Sequence, residues 1–217
     1  MKVVFALYEQ MTALDLVGPY QVFAIAPGTE ITLAASTSGP KRTDSGMVIH
    51  AEKALDEISE ADVIVVPGTG QPQSPLADKV LLDWLARVSP KTKLTCSVCT
   101  GSLVLGAAGL LRGKRATSHW AALDVLREFG AEPVKERVVF DGTTVTAAGV
   151  SAGIDMALTV MANLVGEPAA RLVQLAIEYD PQPPFNSGSP ASADPELVSA
   201  VRQWLAQNAP GVVGLQH

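Results

Sequence analysis

Cys99 is the residue with the clearest capacity for chemistry, because it stands between two segments of different pattern. Leu94, Cys96 and Val98 alternate with polar residues as one face of a strand does, and the run 102–109 has the small, apolar make-up of a packed helix. Cys99 is therefore predicted on the turn between a strand and a helix. The free N–H groups at a helix N-terminus favour negative charge, so this turn is predicted to stabilise a thiolate.

The size of that stabilisation matters because the thiolate, and not the thiol, is the nucleophile. A cysteine with an ordinary pKa of about 8.5 is only a few per cent ionised at neutral pH, and a majority of thiolate requires roughly 3 kcal/mol of stabilisation. A helix terminus supplies about 0.3 to 1 kcal/mol when exposed and up to ~2 kcal/mol when partly buried. A second group is therefore expected to assist Cys99.

Asp15 is the candidate for that second group. The apolar run 3–8 predicts a buried strand, and the apolar residues after it predict a helix that starts near Asp15, with Pro19 in its first turn. Asp15 and Cys99 are then expected at the same edge of a parallel sheet, where open α/β folds bind their ligands. Two interpretations stay open for Asp15, a helix cap or a general acid and base facing Cys99.

Two further segments are candidates for the same edge. The buried strand predicted over 63–66 runs into Pro67-Gly68-Thr69-Gly70, which is either a plain turn or a loop whose N–H groups face a ligand. His119 could activate Cys99, but the alternative that we favour is structural. In that alternative Thr117 or Ser118 caps the following helix, and His119 packs in its first turn.

The other elements are predicted from periodicity and turn residues. Asp141-Gly142 is expected to be the two-residue turn of a hairpin over 137–146, and a proline-rich segment over 181–190 is expected to be a surface wrap or a lid. The tail after Asn208 is expected to fray. The remaining elements are strands over 31–35 and 47–50 and helices over 80–88, 154–164, 169–179 and 195–205.

Composition and charge limit the class of protein. The 217 residues are 47% hydrophobic and 18% charged, which indicates one well-packed α/β domain over 1–217. A net charge of −6 and basic clusters no larger than Lys114-Arg115 argue against nucleic-acid binding. No apolar run reaches the ~18 residues of a membrane span. Two cysteines are too few for a disulfide scaffold and no signal segment is recognised, so a cytoplasmic location is expected.

Five motifs together resemble a known family. They are Asp15-Leu16-x-Gly18-Pro19, Pro67-Gly68, and the segments 97–111, 113–120 and 178–190. They are similar to the ThiJ/PfpI superfamily and, within it, to the isonitrile (isocyanide) hydratases. The resemblance implies a flavodoxin-like three-layer sandwich with a mostly parallel central sheet, a cysteine on a nucleophile elbow, and a homodimer.

The resemblance also implies roles for individual residues. Cys99 would be the nucleophile, Asp15 its acidic partner and Thr100 a neighbouring catalytic residue. Substrate-facing backbone is expected at three further positions, Gly68, Thr69 and Gly101. Gly68 in particular would direct backbone groups at the thiolate.

Two positions distinguish this chain within the superfamily. Thr100 stands where the protease-like and deglycase-like branches carry a histidine, which argues against those activities. Thr69 replaces the second of two glycines that the family usually has after the proline. If that position needs a positive φ, threonine is disfavoured there and the loop geometry should differ.

The implied reaction adds water to an isocyanide and releases an N-substituted formamide by covalent cysteine catalysis. No cofactor or metal is expected, since His50, His119 and His217 lack the spacing of a zinc site. The Cys96-x-x-Cys99 spacing matches a redox motif, but Cys96 is predicted to point from its strand into the core.

Three alternatives remain for the function. The chain could be a cofactor-free glyoxalase or amide hydrolase on the same fold. It could also be a redox or stress sensor in which Cys99 is oxidised. The third alternative is a regulator that carries a DNA-binding module. Only one helix is predicted after the proline-rich segment, which is expected to leave no room for such a module.

Overall fold

The fold is described by a computed structural model that covers residues 1–209 and 212. Its strands are β1 (Lys2–Leu7), β2 (Glu30–Ala35), β3 (Gly39–Arg42), β4 (Val48–Ala51), β5 (Lys53–Ala54), β6 (Val63–Val66), β7 (Leu94–Val98), β8 (Arg115–Ala116), β9 (Glu132–Pro133), β10 (Val138–Asp141) and β11 (Thr144–Ala147). Its α-helices are α1 (Ala13–Ile25), α2 (Gln73–Ala77), α3 (Lys79–Val88), α4 (Gly101–Ala107), α5 (Ala152–Leu164), α6 (Glu167–Ala176) and α7 (Pro195–Asn208). Short 3₁₀ helices lie at Leu55–Glu57, Ser89–Lys91 and Leu123–Phe129.

The central sheet has seven strands in the order β10-β11-β7-β6-β1-β2-β5. Every neighbouring pair is parallel except the β10–β11 hairpin at one edge. The inner strands β6 and β7 are buried along their whole length, as expected of strands covered on both faces. The predicted mostly parallel α/β sheet is therefore confirmed.

The helices form two groups that flank the sheet. Helices α1, α5 and α6 contact one another, and α5 also packs on β7, β10 and β11. Helices α2, α3 and α4 form the second group, in which α4 packs on β6 and β7. In α3 the buried residues Leu81, Trp84, Leu85 and Val88 recur at helical spacing, and the Asp78 carboxylate caps the helix by accepting from the Leu81 N–H at 3.1 Å. Two helical layers around one sheet confirm the three-layer prediction.

The structure corrects two local predictions. Pro19 lies in the middle of α1 and not in its first turn, because α1 begins at Ala13. The proline leaves the Asp15 carbonyl without its usual i+4 donor inside the helix. The hairpin turn is Gly142-Thr143, since Asp141 pairs with Thr144 in the last rung of the ladder, and Gly142 supplies the positive φ of +60°.

The C-terminal part agrees with prediction as far as it is described. Residues 181–190 contain no helix or strand and are exposed, and α7 extends three residues beyond the predicted 195–205. The predicted fraying after Asn208 concerns residues that lie, except for Ala209 and Val212, outside the described part of the chain. Among the described residues, none of the helices is long and apolar enough to cross a membrane.

Candidate active site

Four neighbouring strands bring their carboxyl ends to one edge of the sheet. In the order β11-β7-β6-β1, their ends lead to the segment 148–150, to Cys99, to the loop 67–70 and to the start of α1 with Asp15. Segments far apart in sequence therefore meet at this edge. The prediction that Asp15 and Cys99 share it is confirmed.

The backbone at Cys99 adopts a conformation that is uncommon for a residue with a side chain. Its φ is +57°, in the left-handed region. The Cys99 N–H points at the carbonyls of Ala147 and Ala148, at 3.1 and 3.0 Å, and its carbonyl accepts hydrogen bonds from the Ser102 and Ser118 hydroxyls, both at 3.1 Å. Surrounding hydrogen bonds thus hold the strained turn in place, as is common at functional sites.

The Cys99 thiol is a weaker acid in the resting structure than the sequence predicts. The residue is only 6% exposed, and this burial raises the pKa of the thiol, as does the negative charge of Asp15. The N–H groups of Val150 and Thr100 and the Thr100 hydroxyl lower this pKa, but they do not outweigh burial. The N–H of Thr100 at the helix terminus thus acts in the predicted direction, but burial and Asp15 oppose it, and a base is needed to remove the proton.

Asp15 has the properties of that base. It is fully buried, and burial is the main cause that raises its pKa to about 7; the nearby charge of Asp44 also raises it. A hydrogen bond from the Gly68 N–H, 2.8 Å from Oδ2, lowers this pKa, and so does the neighbouring Cys99 thiol. The other carboxylate oxygen, Oδ1, has no partner among the described residues. A carboxyl group with a pKa near neutrality can both accept and return a proton.

Thr100 joins the cysteine turn to the loop after β6. Its Oγ1 accepts from the Thr69 N–H and donates to the Thr69 carbonyl, both at 2.7 Å. The single hydroxyl hydrogen is directed at the Thr69 carbonyl, and the hydroxyl group also lowers the pKa of Cys99. Thr69 itself is not among the described residues with a positive φ, so the threonine fits the loop and the strain considered above does not arise.

Two of the predicted glycines are required by close contact and not by an unusual φ. A Cβ on Gly68 would lie 2.6 Å from the Thr100 nitrogen and 2.7 Å from Asp15 Oδ2. A Cβ on Gly101 would lie only 2.3 Å from the Val66 carbonyl oxygen. The structure also corrects the expected role of Gly68, because its N–H donates to Asp15 and does not face the thiol.

Two residues that the sequence analysis missed complete the surroundings of Cys99. The N–H of Val150 faces the thiol, and Val150 has a φ of +25°, which is rare for a β-branched residue. The buried Tyr8 hydroxyl donates to the Pro67 carbonyl and so fixes the loop that carries Gly68. The small-residue run Ala147-Ala148-Gly149 at the end of a strand was the available signal for the Val150 turn.

The segment 117–120 forms hydrogen bonds to the Cys99 turn and to the central sheet. The Ser118 hydroxyl binds the Cys99 carbonyl, and the Thr117 N–H donates to Thr146 Oγ1 at 2.9 Å. Neither residue caps the 3₁₀ helix Leu123–Phe129, so that prediction is wrong; their polar groups hold the site and the sheet instead. The Nδ1 atom of His119 accepts from the Ala121 N–H at 3.3 Å.

The surroundings of His119 agree with a structural role, which is the interpretation favoured from the sequence. Burial lowers its pKa, which favours the neutral ring. The ring lies against Gly149, where a Cβ would be 2.9 Å from His119 Cδ2. Among the described residues, no group of three or more His, Cys, Asp or Glu side chains is placed to hold a metal ion.

The fold and this strained cysteine turn define a family. The model of the DJ-1/PfpI family matches residues 1–163, and the chain belongs to that family.

Individual proteins refine this comparison. An isonitrile hydratase of Pseudomonas putida is 45% identical over 202 residues, which are 93% of this chain and 89% of that protein. A ThiJ/PfpI family protein of Pseudomonas syringae has a solved structure with a TM-score of 0.91 and 37% identity, and the match covers 99% of this chain and 90% of that one. A deglycase of Pyrococcus abyssi is 27% identical over 149 residues, which are 68% of this chain and 89% of that protein.

Proposed function

We propose that the protein is an isonitrile hydratase, which converts an isocyanide and water to an N-substituted formamide through a covalent bond to Cys99. The observation that carries the proposal is the buried carboxyl group of Asp15, which lies beside the Cys99 thiol and whose pKa burial raises to about 7. The identity to an isonitrile hydratase along nearly the whole chain supports the choice of substrate.

The first step forms the covalent intermediate. The Asp15 carboxylate takes the thiol proton while Cys99 Sγ attacks the terminal carbon of R–N≡C. Asp15 then returns the proton to that same carbon, which gives the thioimidate R–N=CH–S. Because burial raises the pKa of the thiol, proton removal and attack should occur together and not through a long-lived thiolate.

The second step hydrolyses the intermediate. Asp15 takes a proton from water as the hydroxide adds to the thioimidate carbon, and it passes that proton to the imine nitrogen, which becomes N–H. The tetrahedral carbon then forms its C=O bond, the C–S bond breaks, and the hydroxyl proton restores the Cys99 thiol. The N–H groups of Val150 and Thr100 stabilise the negative charge that develops on sulfur as it leaves. The product is R–NH–CHO.

The assay that tests this proposal measures formamide formation from cyclohexyl isocyanide by chromatography. We expect turnover by the wild type and none above background for Cys99→Ala, because the nucleophile is gone. Cys96→Ala is the matched control, since it removes a buried thiol three residues away and should retain turnover. Wild-type protein that is folded and reduced but inactive on several isocyanides would refute the proposal.

We also propose that the chain is a homodimer and that residues 1–217 form one domain. Exposed apolar side chains on the layer of α1 and α6, at Leu14, Val17, Leu172 and Leu175, favour a dimer. A single buried cluster that extends from Val3 to Val212 favours one domain. Light scattering should give twice the chain mass, and thermal unfolding should show one transition.

The two free cysteines are compatible with the predicted cytoplasmic location, which cell fractionation can test.

A further inference from the structure

The turn at Val150 connects strand β11 to helix α5, and its N–H faces the Cys99 thiol. Val150 has a φ of +25°, which a β-branched residue rarely adopts, so neighbouring contacts must hold this conformation. One of them is on the cysteine side, where the Cys99 N–H points at the Ala148 carbonyl at 3.0 Å. The others come from a single residue outside the site, Arg137.

Arg137, the residue before β10, contacts the chain on both sides of Val150. Its carbonyl accepts from the Ala148 N–H at 2.9 Å, which adds one hydrogen bond to the β10–β11 ladder. Its guanidinium donates to the Ser151 hydroxyl at 3.3 Å. Arg137 therefore holds the chain two positions before the strained residue and one position after it.

The Arg137 guanidinium is itself fixed in place. Its Nε donates to Asp155 Oδ2 at 2.6 Å, and Asp155 lies in the first turn of α5. The Tyr179 hydroxyl, 3.1 and 3.2 Å from the two oxygens of that carboxylate, donates to it as well. A planar guanidinium that bonds to two partners keeps a defined direction. Its position is thus set by α5 and by the segment after α6.

Ser151 occupies the position of a helix cap but does not cap the helix. It directly precedes α5, and a serine at such a position usually accepts from an N–H of the first helical turn. The Ser151 hydroxyl makes no such bond, and its partner is the Arg137 guanidinium. Removal of this hydroxyl would therefore deprive α5 of no cap and would act on the contact with Arg137.

We propose that Arg137 is a positioning residue for the reaction at Cys99, and that it holds the Val150 N–H towards the sulfur through Ser151 and Asp155. This inference rests on the proposed function, in which that N–H stabilises the negative charge on sulfur as it leaves. Arg137 acts through the turn and not by contact with the substrate. Its loss should therefore lower kcat and leave KM nearly unchanged.

The first test measures kcat and KM for cyclohexyl isocyanide in Arg137→Gln. We expect kcat to decrease about tenfold and KM to stay within twofold of the wild type. Because partly exposed ion pairs contribute little to stability, the variant should fold. An unchanged kcat, or a loss that appears only in KM, overturns the proposal.

Arg115→Gln is the matched control. The Arg115 side chain is 48% exposed against 52% for Arg137, and it also pairs with one carboxylate, that of Glu136. Among the described residues, its guanidinium forms no hydrogen bond to the segment 147–151. Both constants should therefore stay within twofold of the wild type, and a loss of kcat equal to that of Arg137→Gln would contradict the proposal.

Ser151→Ala tests the route from Arg137 to the turn and serves also if Arg137→Gln does not fold. We expect about a threefold decrease in kcat, and an unchanged kcat overturns the proposal. In the Ser151→Ala background, Arg137→Gln should lower kcat by a smaller factor than in the wild type, because one of its two contacts is already absent. Losses that multiply in full would show that Arg137 does not act through Ser151.

Alkylation of Cys99 by iodoacetamide separates this inference from the proposed function. Rates are measured by mass spectrometry in a Cys96→Ser background with and without Arg137→Gln. Because the Val150 N–H lowers the pKa of Cys99, its displacement should slow alkylation at least threefold. A turn that only loosens would expose the buried thiol and speed alkylation, so an equal or faster rate refutes the inference. If the wild type turns over no isocyanide, the hydratase proposal fails, and the alkylation rates alone decide the role of Arg137.

Discussion

Cys96 and Cys99 are three residues apart and both buried, but they have different surroundings. Cys96 lies inside β7, and burial alone raises the pKa of its thiol. Burial also raises the pKa of the Cys99 thiol, but there the charge of Asp15, two N–H groups and the Thr100 hydroxyl act on the same sulfur. The strand ends between the two residues, and only Cys99 has a positive φ.

This difference shows that burial does not by itself make a cysteine inert. A buried thiol without polar neighbours has no group to receive its proton or to stabilise its anion. At Cys99 the strained turn directs the thiol out of the strand and towards Asp15, whose pKa of about 7 allows it to receive that proton. The contrast between the two sites therefore depends on the neighbours, and each prediction below changes one of them.

Asp15→Asn should remove most of the difference in reactivity between Cys99 and Cys96. The amide keeps the shape of the carboxyl group but cannot accept the thiol proton, so we expect kcat/KM for isocyanide hydration to decrease by about 10² to 10⁴. Alkylation of Cys99 by iodoacetamide, measured by mass spectrometry, should slow in parallel. Normal turnover by a folded Asp15→Asn protein would show that Asp15 is not the base.

Asp15 should also make stability depend on pH. Its pKa is raised from 3.8 to about 7, so the folded state binds the proton more tightly than the unfolded state does. The resulting stabilisation is fully present below about pH 4 and is lost as the pH rises towards 7. We expect the free energy of unfolding in urea to decrease over this range, by at most about 1.4 kcal/mol per pH unit. Asp15→Asn should have a smaller slope, and an equal slope in both proteins would contradict the assignment.

Thr100→Val should weaken the site less than the loss of Asp15. Valine keeps the volume but removes the hydroxyl that contacts Thr69 and lowers the pKa of Cys99. We expect about a tenfold decrease in kcat. A hydrogen bond to a charged group contributes about 1.5 to 3 kcal/mol. The backbone N–H groups at positions 100 and 150 remain in the variant, which keeps the loss at the lower end of this range. Thr100→Ser restores the hydroxyl and should recover most of the activity. Equal kcat values for the Val and Ser variants would indicate a packing role.

Cys96→Ser should have the smallest effect on activity. Cys96 lies within β7, and its thiol lacks the polar neighbours of the Cys99 thiol. Turnover should therefore stay within twofold of the wild type. The buried hydroxyl should lower the free energy of unfolding by about 1 to 3 kcal/mol unless it finds a partner. Loss of turnover in a variant that melts cooperatively would show that the two cysteines act together.

Much of this fold could be predicted from local pattern. The buried strands β1, β6 and β7 and the amphipathic helix α3 have strong periodicity, and their bounds differ from prediction by a residue or two. The two-residue strands β5, β8 and β9 and the strand β3 were not predicted, because they are short and their residues have no marked strand pattern. Their strand character comes from pairing with other segments: β5 pairs with β2, β3 with β4, and β8 with β9.

The residues of the candidate site were also predicted only in part. Asp15, Cys99 and Thr100 follow from the placement of reactive side chains at strand ends together with the family resemblance. The Val150 N–H and the Ser118 hydroxyl were missed because they act through backbone or through a residue of ordinary type. The N–H groups that lower the pKa of Cys99 were predicted in part, but the burial beside a carboxylate that raises it was not, since a helix terminus can be recognised locally and burial cannot.

Periodicity and turn residues are local properties, so they are enough to indicate an α/β fold, a cysteine at the end of a central strand and an aspartate at the same edge. Which groups meet at Cys99 Sγ depends on the folded chain. The loops after β1, β6, β7 and β11 are brought together by strand order, and the balance between burial and hydrogen bonding then sets the pKa values of Asp15 and Cys99. Strand order and solvation depend on the whole folded chain, so no local pattern encodes them.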